Sequence, residues 1–186
     1  MPARTLLTAS TVDLFTARTR LRELEERDAT ALVELANDRE VTRWVHWPAR
    51  SREALDAFVQ TARERRTDSP RTDYPLAVES REHGELLGFL RLRITSVEFE
   101  QAELAAYLFA RSWGHGLATE AGAALRDFGL HELRLHRLFA YCDVANVASA
   151  RVLEKLGFVR EGTLRSRLKL DGVWRDSHLY AIVSPQ

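Results

Sequence analysis

A strand-like stretch, Glu103 to Phe109, runs directly into Arg111-Ser112-Trp113-Gly114-His115-Gly116-Leu117-Ala118 and from there into a helix of about Ala118 to Leu130. Two glycines one residue apart at a strand-to-helix junction constrain this chain more than any other feature of its sequence. With no Cβ in the way, the chain can turn tightly and bring backbone N–H groups close to a ligand. The helix adds unpaired N–H groups and the positive end of its dipole. The junction is therefore either a cradle for a diphosphate or a turn that its glycines merely shape. It is not a Walker loop, since no Gly-Lys-Ser/Thr follows, and it lacks the third glycine of the dinucleotide fingerprint.

Around this junction the chain alternates strand and helix patterns over 186 residues, a length that suggests one domain. Residues 1–18 have no clear period and read as an irregular lead-in; residues 19–186 form the domain. Thr19 to Leu24 reads as a first strand, and Asp28 as the N-cap of a helix through Ala29, Leu32, Val33 and Leu35 that ends at Asn37. Val41 to Val45 suggests a short helical turn stopped by Pro48. Ser51 caps a helix with a Leu55, Phe58, Val59 and Ala62 stripe. Tyr74 to Glu79 and Glu85 to Arg93 read as strands joined at His83-Gly84, and Arg137 to Asp143 as another. Asn146 to Leu156 reads as a helix closed by Gly157. Asp171-Gly172 between Thr163–Leu170 and Val173–Val183 is a strong hairpin signal. The expected fold class is α/β (α+β), with a mixed, mostly antiparallel central sheet flanked by helices.

Charge and composition exclude several functions. Lys plus Arg and Asp plus Glu are 27 each, so the basic excess expected of a nucleic-acid binder is absent. No apolar run approaches the roughly 20 residues of a membrane span, and residues 1–10 do not read as a signal peptide, which leaves the cytoplasm as the expected location. The single cysteine, Cys142, forms no intrachain disulfide and reads as a small core residue. The six scattered His show no metal-ligand spacing, so no metal is expected.

Arg-x-x-Gly-x-Gly-x-Ala from Arg111 to Ala118 resembles the coenzyme A pyrophosphate motif of the GNAT superfamily of N-acetyltransferases. About forty residues on, Asn146-Val147-Ala148-Ser149 and Val152-Leu153-Glu154-Lys155-Leu156-Gly157-Phe158 resemble that superfamily's second conserved block. The Glu120-Ala121 pair and the hairpin from Phe158 to Val183 resemble the bacterial branch of the ribosomal-protein N-terminal acetyltransferases RimJ and RimL. The likeness covers roughly Thr16 to Val183.

The resemblance implies an acetyl-CoA-dependent N-acetyltransferase whose middle strands, Glu103 to Phe109 and Arg137 to Asp143, splay apart around acetyl-CoA. It implies cofactor contacts from Leu104, Ala105, Tyr107 and Leu108 on the strand and from Arg111, Ser112, Trp113, Gly114, His115, Gly116, Leu117 and Ala118 in the cradle. Asn146, Ser149 and Lys155 would add contacts from the second block. A backbone N–H near Leu104 to Tyr107 would stabilise the oxyanion. Glu103 is the candidate base, or else a solvated strand carboxylate. Many relatives carry a proton-donating tyrosine where this chain has Leu153, which cannot donate. Ser149, one helical turn earlier, takes that place in the RimL-like branch, or else bonds only to the local backbone. Trp44, His46, Trp47 and Pro48 would wall the acceptor site, or simply pack; Trp174 would rim it or belong to the core, and Asp176 would meet an ammonium or face solvent. The implied acceptor is an amine, first of all the N-terminal α-amine of a protein such as a ribosomal protein. A small amine (aminoglycoside, polyamine or amino acid) and non-catalytic acyl-CoA binding remain open, as does monomer or homodimer.

Overall fold

In this computed structural model the described residues are 11–47 and 50–184. They build an eight-stranded sheet with helices on both faces. The strands are β1 (Asp13–Phe15), β2 (Thr19–Glu23), β3 (Asp73–Ser80), β4 (Leu86–Ser96), β5 (Gln101–Leu108), β6 (Arg137–Asp143), β7 (Val159–Leu170) and β8 (Val173–Val183). Their spatial order is β1-β2-β3-β4-β5-β6-β8-β7, and every neighbouring pair is antiparallel except β5 with β6. The helices are α1 (Asp28–Asn37), α2 (Arg39–Thr42), α3 (Arg52–Glu64), α4 (Leu117–Asp127) and α5 (Val147–Lys155).

The period-2 and period-3.6 apolar patterns decide which side chains meet. On one face, Leu90, Leu92, Leu104 and Leu138 pack against Ala121, Leu125 and Phe128 of the α4 region and Leu153 of α5. On the other, Ala77 and Phe89 pack against Leu32 and Leu35 of α1 and Leu55 and Val59 of α3. Each such fully buried leucine contributes roughly 1.5–3 kcal/mol relative to exposure. Ser51 caps α3 by accepting from the Ala54 amide at 3.2 Å, as its position predicts.

Some local expectations need correcting. Asp28 is not a cap. Its carboxylate is buried, ion-paired with Arg22 at 2.7 Å and accepts from the Glu25 amide, while Arg27 holds the N-cap position without a side-chain bond. The short helix lies at Arg39–Thr42, earlier than Val41 to Val45, because Asp38 caps it through the Glu40 amide. The lead-in is irregular only in part: Asp13–Phe15 pairs with Arg20–Arg22 as an edge strand, too short to show a period. Pro48 lies outside the described residues.

Candidate functional site

The parallel pair sets the site. β5 and β6 pair only through Gln101↔Arg137, Ala102↔Leu138 and Glu103↔Phe139; beyond Glu103 they part. The Phe109 amide donates to the Leu87 carbonyl at 3.0 Å, which fixes the alternation of β5 against β4. Leu104, Ala106 and Leu108 therefore turn their main-chain groups toward the gap, while Ala105 and Tyr107 spend theirs on β4. Of the four strand residues expected to meet acetyl-CoA through their backbone, Ala105 and Tyr107 are thus not available for it. Ala106, like Leu104 and Leu108, turns its main-chain groups to the gap instead. It is also exposed on a face where both leucines are buried, which leaves a slot on the α4 side of the sheet. Strand alternation alone was enough to find Ala106.

At the end of β5 the chain turns through Ala110–Ser112 into the glycine segment. Gly114 and Gly116 have φ of 80° and 77°, the left-handed region that side chains disfavour. Gly116 occupies the N-cap of α4. Among the described residues, the backbone N–H groups of Gly114 to Thr119 have no acceptor, the arrangement that suits an anion. A cradle of free amides, open above Gly114 and met at Gly116 only by the Arg18 guanidinium, fits a diphosphate. The Trp113 indole donates to the Leu108 carbonyl at 3.0 Å, fastening the turn to the strand. Arg111 lies over the Phe109 ring, 3.8 Å from its centroid, and Ser112 is buried; both shape the turn. The His115 side chain is exposed.

A brace behind the cradle was not foreseen. Glu120, in the first turn of α4, accepts from the Thr16 hydroxyl, the Arg18 amide and the Arg18 guanidinium at 2.5, 2.7 and 2.8 Å. Arg18 also donates to the His115 carbonyl at 3.0 Å. Burial would raise the Glu120 carboxyl, but these donors overcome it and hold it below its ordinary value. Arg18 thereby neutralises a carboxylate that would otherwise oppose an anion at the helix N-terminus. Replacing Glu120 by Gln should cost a few tenths to about 1 kcal/mol of stability, the worth of a half-exposed charge pair. A carboxyl depressed by folding stabilises above its unfolded value, about 4.3, and loses that contribution as pH falls through its folded value. The melting temperatures of wild type and Glu120→Gln should accordingly differ at neutral pH and converge only as pH falls through the lowered folded value. Parallel melting curves at every pH would remove the brace.

α5 begins at the same end of the parallel pair as α4, so its first turn faces the gap. Asn146 caps it, its side-chain oxygen accepting from the Ser149 amide at 3.0 Å. The Ser149 hydroxyl is half-buried and has no hydrogen-bond partner among the described residues, so it is free to donate. Leu153 is 5% exposed in the core, one turn on, and cannot take the tyrosine's part. Lys155 is exposed in the last turn. Burial, with Asp143 and Glu154 nearby, pushes the Cys142 thiol up to about 11, which leaves it no role as a nucleophile.

The other face of the gap carries Glu103, Tyr107, Phe139 and Tyr141, all half-buried. Glu103 pairs with Arg93 at 2.5 Å and Asp73 with Arg91 at 2.7 Å, so each acid there is already matched. Burial, with Glu103 close, holds the Tyr107 hydroxyl above its ordinary value against Arg91, Arg93 and Arg167. Trp47 is buried and meets Phe89 and Tyr107 edge-on at 5.6 and 5.2 Å, so it supports β5 from below and forms no open wall. Trp44 is half-buried with Arg43 over its ring, and His46 is exposed. Trp174, 60% exposed, stands near the tip of the β7–β8 hairpin beneath Lys169. Asp176 accepts from the Ser166 amide at 2.8 Å, so one of its oxygens is occupied by the hairpin itself. Phe139 and Tyr141 were missed by sequence reasoning, although alternation of β6 places both opposite its buried residues. Among the described residues no cluster could hold a metal, and no helix is long and apolar enough to cross a membrane.

Comparison with known proteins agrees with this geometry. The family described as acetyltransferase (GNAT) domain matches residues 18–159. YjcK of Bacillus subtilis, named a probable N-acetyltransferase, is 35% identical over 114 residues, 61% of this chain and 63% of that protein. The spermidine N(1)-acetyltransferase of Escherichia coli K12 is 28% identical over 163 residues, 85% of this chain and 82% of that one. The solved structure of Mycobacterium smegmatis RimJ in complex with CoA-disulfide superposes with a TM-score of 0.79 at 27% identity, covering 95% of this chain and 89% of that one.

Proposed function

This chain belongs to the GNAT acetyltransferase family, and we propose that it transfers the acetyl group of acetyl-CoA to the N-terminal α-amine of a protein or peptide. The observation that carries the choice of acceptor is the charge of the face opposite the cradle. A polyamine needs unpaired carboxylates there, whereas Asp73 and Glu103 are each matched by an arginine. A peptide N-terminus brings one cation and a flat backbone, which aromatic side chains such as Tyr107, Phe139 and Tyr141 suit. The likeness to RimJ supports this reading; the likeness to the spermidine enzyme makes polyamine transfer the alternative to test.

In this reading acetyl-CoA supplies the activated acyl group, with its diphosphate on the free amides of Gly114 to Thr119 and its pantetheine arm along Leu104, Ala106 and Leu108. The same strand offers an N–H, from Leu104 or Ala106, to the negative charge that develops on the carbonyl oxygen. An α-amine, with a pKa of about 7.7–8.0, is partly neutral at pH 7 and needs only weak help to lose its proton. Glu103 gives that help through its unpaired oxygen or through one water. Ser149 relays a proton to the departing thiolate, its own hydroxyl proton being replaced by the one released from the amine, since its hydroxyl is unengaged at the first turn of α5. Asn146 holds that turn, and Lys155 adds positive charge to the same helix.

Replacing Ser149 by Ala should lower kcat about 100-fold, within the range of a lost general acid, and leave the dissociation constant for acetyl-CoA unchanged. Unchanged turnover would take Ser149 out of the mechanism. The acceptor is tested by thiol release from acetyl-CoA with a peptide panel, spermidine and an aminoglycoside. Turnover with spermidine and none with any peptide would refute the N-terminal reading.

A further inference from the structure

The β7–β8 hairpin departs from regular pairing at two places, Arg160/Gly162 and Leu164/Leu168, and the second is the larger. Leu164 pairs with Ser177 and Leu168 with Arg175, so residues 165–167 stand opposite Asp176 alone. Three residues against one form an enlarged bulge that bends the strand and redirects its side chains. The bulge is held from within: Ser166 has φ of 48°, and its amide donates to Asp176 Oδ1 at 2.8 Å. A serine in the left-handed region costs energy, so the bond to Asp176 offsets strain that regular pairing would avoid.

What the bulge achieves is the placement of Arg167. Its guanidinium reaches over β8 and lies 3.6 Å from the centroid of the Tyr141 ring on β6. Tyr141 meets Phe139 edge-on at 5.6 Å; Phe139 stands at the last paired position of β5 and β6, and Tyr141 just beyond it on the same face. Arg91 and Arg93 have carboxylate partners there, but among the described residues Arg167 has none. A guanidinium held over an aromatic face without a carboxylate partner keeps N–H donors for a planar carboxylate.

We propose that Arg167, positioned by the Asp176–Ser166 bulge, is a specificity residue that selects peptides carrying an acidic side chain close to the acetylated N-terminus. The inference rests on the N-terminal reading above. It also repels polycations from the same face, because an unpaired arginine opposes a second ammonium.

Peptides identical except for Glu, Gln or Lys at the second and third positions are compared by kcat/KM in wild type, Arg167→Gln and Arg167→Glu. Wild type should favour the Glu peptide over the Gln peptide about fivefold, the upper range for a half-exposed charge pair, and less at high salt. Arg167→Gln should bring that ratio near one, mainly through KM for the Glu peptide, and Arg167→Glu should turn the preference toward the Lys peptide. Asp176→Asn keeps the bulge's acceptor oxygen and should preserve the wild-type ratio, whereas Asp176→Ala should reduce it. The dissociation constant for acetyl-CoA, a property of the opposite face, serves as the control for folding. Equal rates on the Glu and Gln peptides in wild type, or a preference that survives Arg167→Gln, would overturn the assignment while leaving peptide acetylation intact. Acetylation of spermidine with no peptide turned over would instead remove the N-terminal reading, and this inference with it.

Discussion

Replacing Gly88 by Ala should lower the melting temperature by about 10 °C, corresponding to ~3 kcal/mol in a protein of this size, and should also raise the KM for acetyl-CoA. Gly88 lies inside β4 with φ of 146°, opposite Leu108 on one side and Val78 on the other. A Cβ built there would sit 2.1 Å from the Tyr107 carbonyl oxygen and 2.6 Å from the Leu108 Cα. Both are backbone atoms, so no rotamer change can relieve the contact. Either β4 or β5 must move, and β5 is the strand whose Leu104, Ala106 and Leu108 amides line the gap. Stability and cofactor affinity are therefore expected to fall together. Thermal melts and steady-state kinetics on the one variant test both, and a Gly88→Ala protein with wild-type values in each would show that β5 does not need this close approach.

Gly88 also marks where sequence reasoning stops. The strand Glu85 to Arg93 is legible from its apolar residues, but one glycine within it gives no sign of which backbone comes near. The same limit explains Asp28. A carboxylate before an apolar helical stripe reads as a cap because capping is local, yet Arg22, six residues earlier, claims it across a buried pair that only tertiary structure creates. Elements with strong periods were legible: α4 buries Ala121 and Leu125 on the side its spacing indicates, with Phe128 buried beside them, and β6 spans Arg137–Asp143 as its alternation reads.

Within the site, legibility follows the same division. The cradle is contiguous in sequence, so its glycines, the following helix and the free amides could all be read from eight residues. The proposed acceptor face is assembled from β4, β5, β6 and β7, and nothing local links Tyr141 to Arg167, 26 positions away by their numbering. The aromatic segment Trp44 to Trp47 shows the converse. The family resemblance implies a wall there or simple packing, and Trp47 packs against Phe89 and Tyr107 beneath β5. The Thr16–Arg18–Glu120 brace joins residues about a hundred positions apart, and only the Glu120-Ala121 resemblance hinted that this carboxylate mattered.

The largest functional effect is expected from Gly116→Val. Gly116 has φ of 77°, and an added Cβ would meet only the Arg18 guanidinium at 3.6 Å, an ordinary contact. The substitution is therefore opposed by backbone conformation and not by the surrounding protein. A β-branched residue in the left-handed region costs about 1–3 kcal/mol, and the segment can avoid that cost by turning its φ negative. Doing so redirects the amides of His115 to Ala118, and the new side chain stands where a diphosphate would approach. We expect acetyl-CoA affinity to fall at least 100-fold, since several charge-assisted bonds are lost at once. Gly84→Val supplies the control. Gly84 has a similar φ of 73°, lies in the β3–β4 turn and has nothing within 4 Å of an added Cβ. It should show a comparable fall in melting temperature without ligand and an unchanged dissociation constant for acetyl-CoA. Calorimetric titration of both variants separates conformational strain from a lost anion site. If Gly116→Val binds acetyl-CoA as tightly as Gly84→Val does, the diphosphate is not held at the start of α4.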